Sequence, residues 1–160
     1  MEAFGSDREI GRLVAGLDED APVRELDDEQ CWALLESHEF GRLAFHLGPE
    51  VHLTPVNYAV DGRTLLFRTA AGSKLVGVVM NSDVVFEIDD HDEHGAVSVI
   101  VRGEARRLDE DEAHRAERVP LRTWVPTRKE EVVEIRPTEV TGRAFFLHRP
   151  WRHIIPSSDG

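Results

Sequence analysis

The sequence predicts a mainly β, antiparallel fold, a small closed barrel of about six strands with short peripheral helices, and three observations carry that prediction. Apolar and polar residues alternate with a period of two over several separate stretches. Turn-forming dipeptides divide those stretches, and helical spacing is confined to short segments between them. Closing the sheet removes the exposed edges that so many antiparallel strands would otherwise present.

The elements follow in chain order. Residues 1–24 are rich in Asp, Glu and Gly and read as an acidic tail with room for one short helix. Asp27 then stands as an N-cap with Gln30 in capping-box spacing, which starts a helix that brings Trp32 and Leu35 to one face. Gly41 sits where a helix often ends in a left-handed residue. From Arg42 the period becomes two, with Leu43, Phe45 and Leu47 set against Arg42, Ala44 and His46. Gly48-Pro49-Glu50 interrupts the pattern, a second strand runs from Val51 to Val60, and Asp61-Gly62 supplies a tight hairpin before a strand from Thr64 to Thr69. Ser73 is placed to cap a short helix carrying Leu75, Val78 and Val79. Strands then read from Val84 to Ile88 and from Ala96 to Leu108, joined by an acidic loop over residues 89–95. Gly103 within the longer strand marks a bulge or bend. A charged helix from Asp109 to Val119 and strands from Val132 to Arg136 and Val140 to His148 complete the count.

Composition bounds the function. The chain has 160 residues and a formal net charge of −12, which repels a phosphate backbone, and no Lys/Arg-rich run offsets it, so no nucleic-acid partner is expected. Nothing approaches the ~18 consecutive apolar residues of a spanning helix, so no membrane insertion is expected either. A single cysteine, Cys31, and an amino terminus without a secretory pattern point to a cytoplasmic setting. No Gly-x-Ser-x-Gly, dinucleotide-type Gly-x-Gly-x-x-Gly or Walker motif occurs, which leaves hydrolase and nucleotidase readings without residues.

The order Thr54-Pro55-Val56-Asn57-Tyr58, Asp61-Gly62, Leu66-Phe67-Arg68-Thr69, Gly72-Ser73-Lys74-Leu75, Asn81 to Glu87 and Ser98 to Ala105 resembles the pyridoxamine 5′-phosphate oxidase-like family of FMN-binding split barrels. Within it the chain looks closest to the short actinobacterial-type and nitroimidazole-resistance-like branch. Ser98 stands where the vitamin-forming oxidase carries Gln, and that enzyme's carboxy-terminal substrate segment has no match. The resemblance implies a flavin domain over residues 25–150 between the acidic tail and a short tail, 151–160. It also implies a homodimer with FMN at the interface, and redox chemistry on a small molecule with a separate electron donor. A deazaflavin in the same groove is an alternative cofactor, and a non-catalytic flavin- or haem-binding sensor or storage protein is an alternative function.

Candidate residues divide by chemistry. Arg68, Thr69, Gly72, Ser73 and Lys74 combine fixed positive charge, hydroxyls and free amides, which is what a phosphate needs, and the family resemblance places the FMN phosphate there. The same resemblance lays the strand Pro55, Val56, Asn57 and Tyr58 along the isoalloxazine. Phe67 is either core or ring-packing, and Ser98 is either a flavin neighbour from the facing protomer or an ordinary hydroxyl. Trp124, Trp151 and Arg152 are further candidates from the second protomer. Asp89 to His94 reads as a solvated acidic turn rather than a metal site, Cys31 as a buried structural thiol, and His46 and His52 as barrel histidines, with haem ligation the alternative.

Overall fold

The computed structural model describes residues 6–70, 83–121 and 130–148. Its elements are helix α1 (Ser6–Val14), β1 (Val23–Leu26), helix α2 (Asp28–Ser37), β2 (Phe40–Leu47), β3 (Glu50–Asp61), β4 (Thr64–Ala70), β5 (Asp83–His91), β6 (Gly95–Arg107), helix α3 (Glu110–Ala113) with a 3-10 turn (His114–Glu117), and β7 (Glu130–Phe146). The strands form one sheet in the order β1-β7-β4-β3-β2-β5-β6, and β6 pairs again with β7. Six strands therefore close a ring, as the periodicity implies, and β1 is a seventh lying outside it against the carboxy-terminal half of β7.

The ring keeps six strands because the two carboxy-terminal stretches are one. β7 runs through Pro137, and its pairing with β6 shifts between Arg102, opposite Glu139, and Gly103, opposite Pro137. Thr138 is the extra residue of this bulge, and its hydroxyl donates to the Arg102 carbonyl at 3.2 Å. A proline without an N–H is tolerated at such an irregularity. Gly103 is required by close approach, since a Cβ there would lie 2.4 Å from the Arg136 carbonyl oxygen.

Inward-facing Leu43, Tyr58, Phe67, Phe86, Val99, Val101, Val133 and Ile135 fill the barrel. Helix α2 closes one end with Trp32, Leu34 and Leu35, and its capping box forms as the spacing implies, with the Asp27 carboxylate accepting from the Gln30 amide at 2.8 Å. Its far end differs from expectation. The helix stops at Ser37, His38 is already extended, and Gly41 lies inside β2, where a Cβ would meet the Phe86 ring at 2.3 Å.

Residues 6–24 are not a detached tail. Ile10 and Val14 of α1 are buried in the same core, and Arg24 donates to the Leu13 and Ala15 carbonyls that end the helix. A boundary at residue 24 therefore falls within β1. The charged helix expected from Asp109 to Val119 is a single turn, α3, followed by the 3-10 turn. A smaller apolar cluster of Leu66, Leu108, Ala116 and Val132 seats both on the outside of the barrel.

Candidate functional site

The β3–β4 ladder runs from Asp61 opposite Thr64 to Tyr58 opposite Phe67, and among the described residues it stops there. Beyond that point β3 stays paired with β2 through Glu50 to Asn57, while Arg68 to Ala70 of β4 pair with β7. The two strands part, and the barrel is split between them. Pro55, Val56 and Asn57 lie on one lip and Arg68 and Thr69 on the other. An edge strand accommodates the proline because no ladder bond is needed from its nitrogen.

Strand alternation sorts the candidate side chains. Pro55 is exposed, and Asn57, Arg68, Thr69 and Ser98 are half-buried. The Asn57 amide donates to the Glu39 carbonyl at 3.3 Å, which fixes its orientation at the lip. Tyr58 and Phe67 point into the core at 1% and 0% exposure, and Val56 is buried as well. The Tyr58 hydroxyl donates to the Leu35 carbonyl at 2.6 Å, its ring meets Phe86 edge-on at 4.7 Å, and burial pushes its phenol well above the ordinary range. At these three positions only the backbone faces the split. Gly72, Ser73 and Lys74, like Trp124, Trp151 and Arg152, lie outside the described residues.

From the split, the outer wall continues across β3, β2, β5, β6 and β7. One cross-strand row reads Pro55, Arg42, Glu87, Ile100, Thr141. Arg42 bridges Glu87 at 2.9 Å and Asp89 at 3.2 Å. Burial, then a hydrogen bond and repulsion from Asp89, push the Glu87 carboxyl up to about 7 against the opposing pull of Arg42. Ser98 stands on β6, three strands from β3, which is about 14 Å at the usual strand spacing. Within one chain it does not share a site with Asn57. Apolar residues of this wall are open to solvent, with Val51 and Leu53 about two-thirds exposed and Phe40 partly so.

Two open cavities indent the wall. One of about 510 Å³ lies over β6, β7 and β1 and is lined by Glu25, Ser98, Arg102, Glu139, Thr141 and Arg143 among others. The second, about 450 Å³, lies over β2, β5 and β6, and Arg102 stands between them. Sequence reading passed over Glu25, Arg102, Glu139 and Arg143, because only the register brings them together.

The other polar residues singled out from the sequence lie away from the split. Asp92 caps the β5–β6 turn by accepting from the His94 and Gly95 amides, and among the described residues no cluster of three His, Cys, Asp or Glu is placed to hold a metal ion. His46 and His52 are adjacent in the β2–β3 ladder only through their neighbours Val51 and Phe45. They therefore face opposite sides of the sheet and do not converge. Cys31 is buried, and burial followed by Asp28 and Asp27 raises its thiol pKa.

A split antiparallel barrel with this wall and this motif order defines a class, and comparison with known proteins agrees. The family model described as pyridoxamine 5′-phosphate oxidase matches residues 27–144. An uncharacterized protein of Mycobacterium tuberculosis is 36% identical over 129 residues, covering 75% of this chain and 84% of the relative. The FAD binding protein from Mycobacterium smegmatis superposes with a TM-score of 0.72 at 43% identity, covering 78% of this chain and all of that one. A FAD-binding protein from Mesorhizobium loti gives a TM-score of 0.65 at 25% identity, covering 76% of this chain and 97% of that one. The chain belongs to the pyridoxamine 5′-phosphate oxidase family.

Proposed function

We propose that this protein is a flavin-dependent oxidoreductase that holds FMN along the split between β3 and β4, with a second copy of the chain covering the site. The observation that carries the reading is the end of the β3–β4 ladder at Tyr58 and Phe67. It leaves two strand edges, one bearing Pro55, Val56 and Asn57 and the other Arg68 and Thr69, on either side of a gap. The polar rim of a flat heterocycle requires backbone and amide partners, and its phosphate requires a guanidinium and hydroxyls. Both sets are present, one on each lip.

When bound, a flavin supplies the hydride or electron chemistry, and the chain supplies orientation and exclusion of water. Exposed Val51 and Leu53, two apart on one face of β3, and Phe40 on the neighbouring strand support coverage of this wall by another molecule, since apolar exposure on a sheet face marks an interaction surface. The flavin named for the mycobacterial and rhizobial relatives is FAD, which makes FAD the second ligand to test, with a deazaflavin third. Substrate and electron donor are small molecules of unassigned identity.

The test is a titration of FMN, FAD, deazaflavin and riboflavin into the full apo chain. Hydrogen bonds to charged groups contribute about 1.5–3 kcal/mol, so Arg68→Ala or Lys74→Ala is expected to weaken FMN roughly 10- to 150-fold. Riboflavin, without a phosphate, should bind both variants as it binds wild type. Lys129→Ala should change neither affinity. Equal losses for FMN and riboflavin, or no flavin binding by wild type, would overturn the assignment.

A further inference from the structure

Helix α2 ends without the features that usually close a helix. Its last turn carries no basic residue, and the cap, His38, is extended with φ −111° and ψ 158° and is followed by Glu39 rather than glycine. Side chains meet the carbonyls left over at its end instead. The Leu34 carbonyl accepts from His38 Nδ1 at 2.8 Å and from the Ser37 hydroxyl at 2.9 Å, while the Leu35 carbonyl accepts from the Tyr58 hydroxyl. The other nitrogen of the same ring, Nε2, lies 3.1 Å from the Asp90 carboxylate of β5, and the His38 side chain is only 17% exposed.

A carbonyl and a carboxylate only accept, so a ring that bonds both donates from both nitrogens and carries a positive charge. Its surroundings favour that charge. The helix end presents the negative pole of α2. From β5 it faces Asp90, whose second oxygen is fixed by the His91 amide at 2.8 Å, with Asp89 beside it bound to Arg42. From β6 it meets the uncharged Val97, Ser98 and Val99 around a small hollow, and Glu39 follows it in the chain. The Glu39 carbonyl in turn accepts the Tyr58 amide at 3.0 Å and the Asn57 side-chain amide at 3.3 Å. The anchored ring therefore holds the joint between α2 and β2 from which Asn57 takes its orientation.

We infer that His38 is a proton-dependent latch that positions the Asn57 lip of the split. As an imidazolium it ties the end of α2 to Asp90, and through the Glu39 carbonyl it holds the Asn57 side chain and the Tyr58 amide in place. Loss of the proton removes one of its two donors, so the latch is closed at low pH and loosens as pH rises. His38 is a positioning residue: it acts on the site through Asn57. That the lip receives a flavin rests on the function proposed above, whereas the latch itself does not.

The test reads latch and flavin separately on the full chain, at about pH 5.5 and about pH 8.5, either side of the ordinary histidine range. Amide exchange followed by NMR gives the protection of the Tyr58 amide, taken as a ratio to the amides of β4 so that whole-chain stability, with its Glu87 dependence, cancels. In wild type this ratio should fall roughly 10-fold or more from the lower pH to the higher. In His38→Gln it should be low and flat, and Asp90→Asn, the second variant, should flatten it too. Riboflavin, which has no phosphate to titrate, should bind wild type roughly 2- to 12-fold more weakly at the higher pH. That dependence should vanish in His38→Gln and in Asn57→Ala, and adding His38→Gln to Asn57→Ala should weaken riboflavin no further. Circular dichroism checks folding. Equal wild-type ratios at the two pH values would overturn the inference, as would a pH dependence that survives His38→Gln or a riboflavin response that survives Asn57→Ala. A pH-dependent ratio in a chain that binds no riboflavin would support the latch and overturn the flavin reading alone.

Discussion

The two outer walls of this barrel both carry charge on a sheet surface, yet they use it differently. Under α3, Glu134 is only 2% exposed and lies within ion-pair distance of Arg115 at 2.6 Å, Arg106 at 2.9 Å and Arg136 at 3.5 Å. Each of the first two guanidinium groups also holds an acid from elsewhere: Arg106 takes Glu112 of α3 through two bonds, and Arg115 takes Asp61 of the β3–β4 hairpin at 2.7 Å. These partners raise the pKa of both arginines, and the Arg106 hydrogen bond is the main cause of a lowered Glu112 pKa. The network ties helix, hairpin and β7 together. Across the barrel, the wall from β3 to β7 has exposed valine and leucine, two open cavities and ion pairs from Arg42 to Glu87 and Asp89 that lie partly in solvent. A buried charge kept fully paired ties elements together, whereas the open wall leaves its charges and apolar groups to solvent.

Substitutions on the two walls should separate these roles. Removing one member of a buried ion network costs about 3–5 kcal/mol, so Glu134→Ala should lower the urea midpoint substantially, by the lower end of that range because its arginines can still reach water. Leu53→Ser on the open wall should change the stability of the single chain by no more than about 0.5 kcal/mol while weakening self-association on dilution. Comparable losses of chain stability for both would erase the distinction between the walls.

A smaller effect concerns pH. The carboxyl of Glu87 titrates near 7 in the folded chain, above the ordinary value of 4.5, because burial and Asp89 outweigh Arg42. Below 4.5 it is protonated in both states and contributes nothing. Between 4.5 and about 7 the folded state binds more protons than the unfolded one, so stability falls as pH rises through this window. Glu87→Gln should flatten that slope. An unchanged slope would show that Glu87 titrates normally and that Arg42 compensates it fully.

Much of the architecture was legible because strand alternation, the Asp61-Gly62 hairpin and the Asp27–Gln30 capping box are local signals, and the six-stranded ring follows from them. What was illegible depended on long-range contact. Nothing in the acidic first segment signals that Ile10 and Val14 reach the core, since their partners lie on β6 and β7, more than 80 residues away. Gly41 resembled a helix terminator until the Phe86 ring was seen to occupy the space of its Cβ. At the candidate site, motif order pointed to the strands that form the lips, but only the register shows which side chains face outward: Asn57 and Arg68 do, whereas Tyr58 and Phe67 fill the core. The cavity charges were invisible for the same reason, since Glu25 and Arg143 are far apart in sequence and meet only through the β1–β7 pairing.

The central claim is that a flavin occupies the split and leaves the wall under α3 untouched. Hydrogen exchange followed by mass spectrometry, on the full chain with and without saturating FMN, tests this most directly because protection is read by segment. The account predicts slowed exchange in peptides spanning residues 52–58 and 66–74, with unchanged exchange over residues 106–117. Protection confined to residues 106–117, or none at the two lips despite FMN saturation, would contradict it.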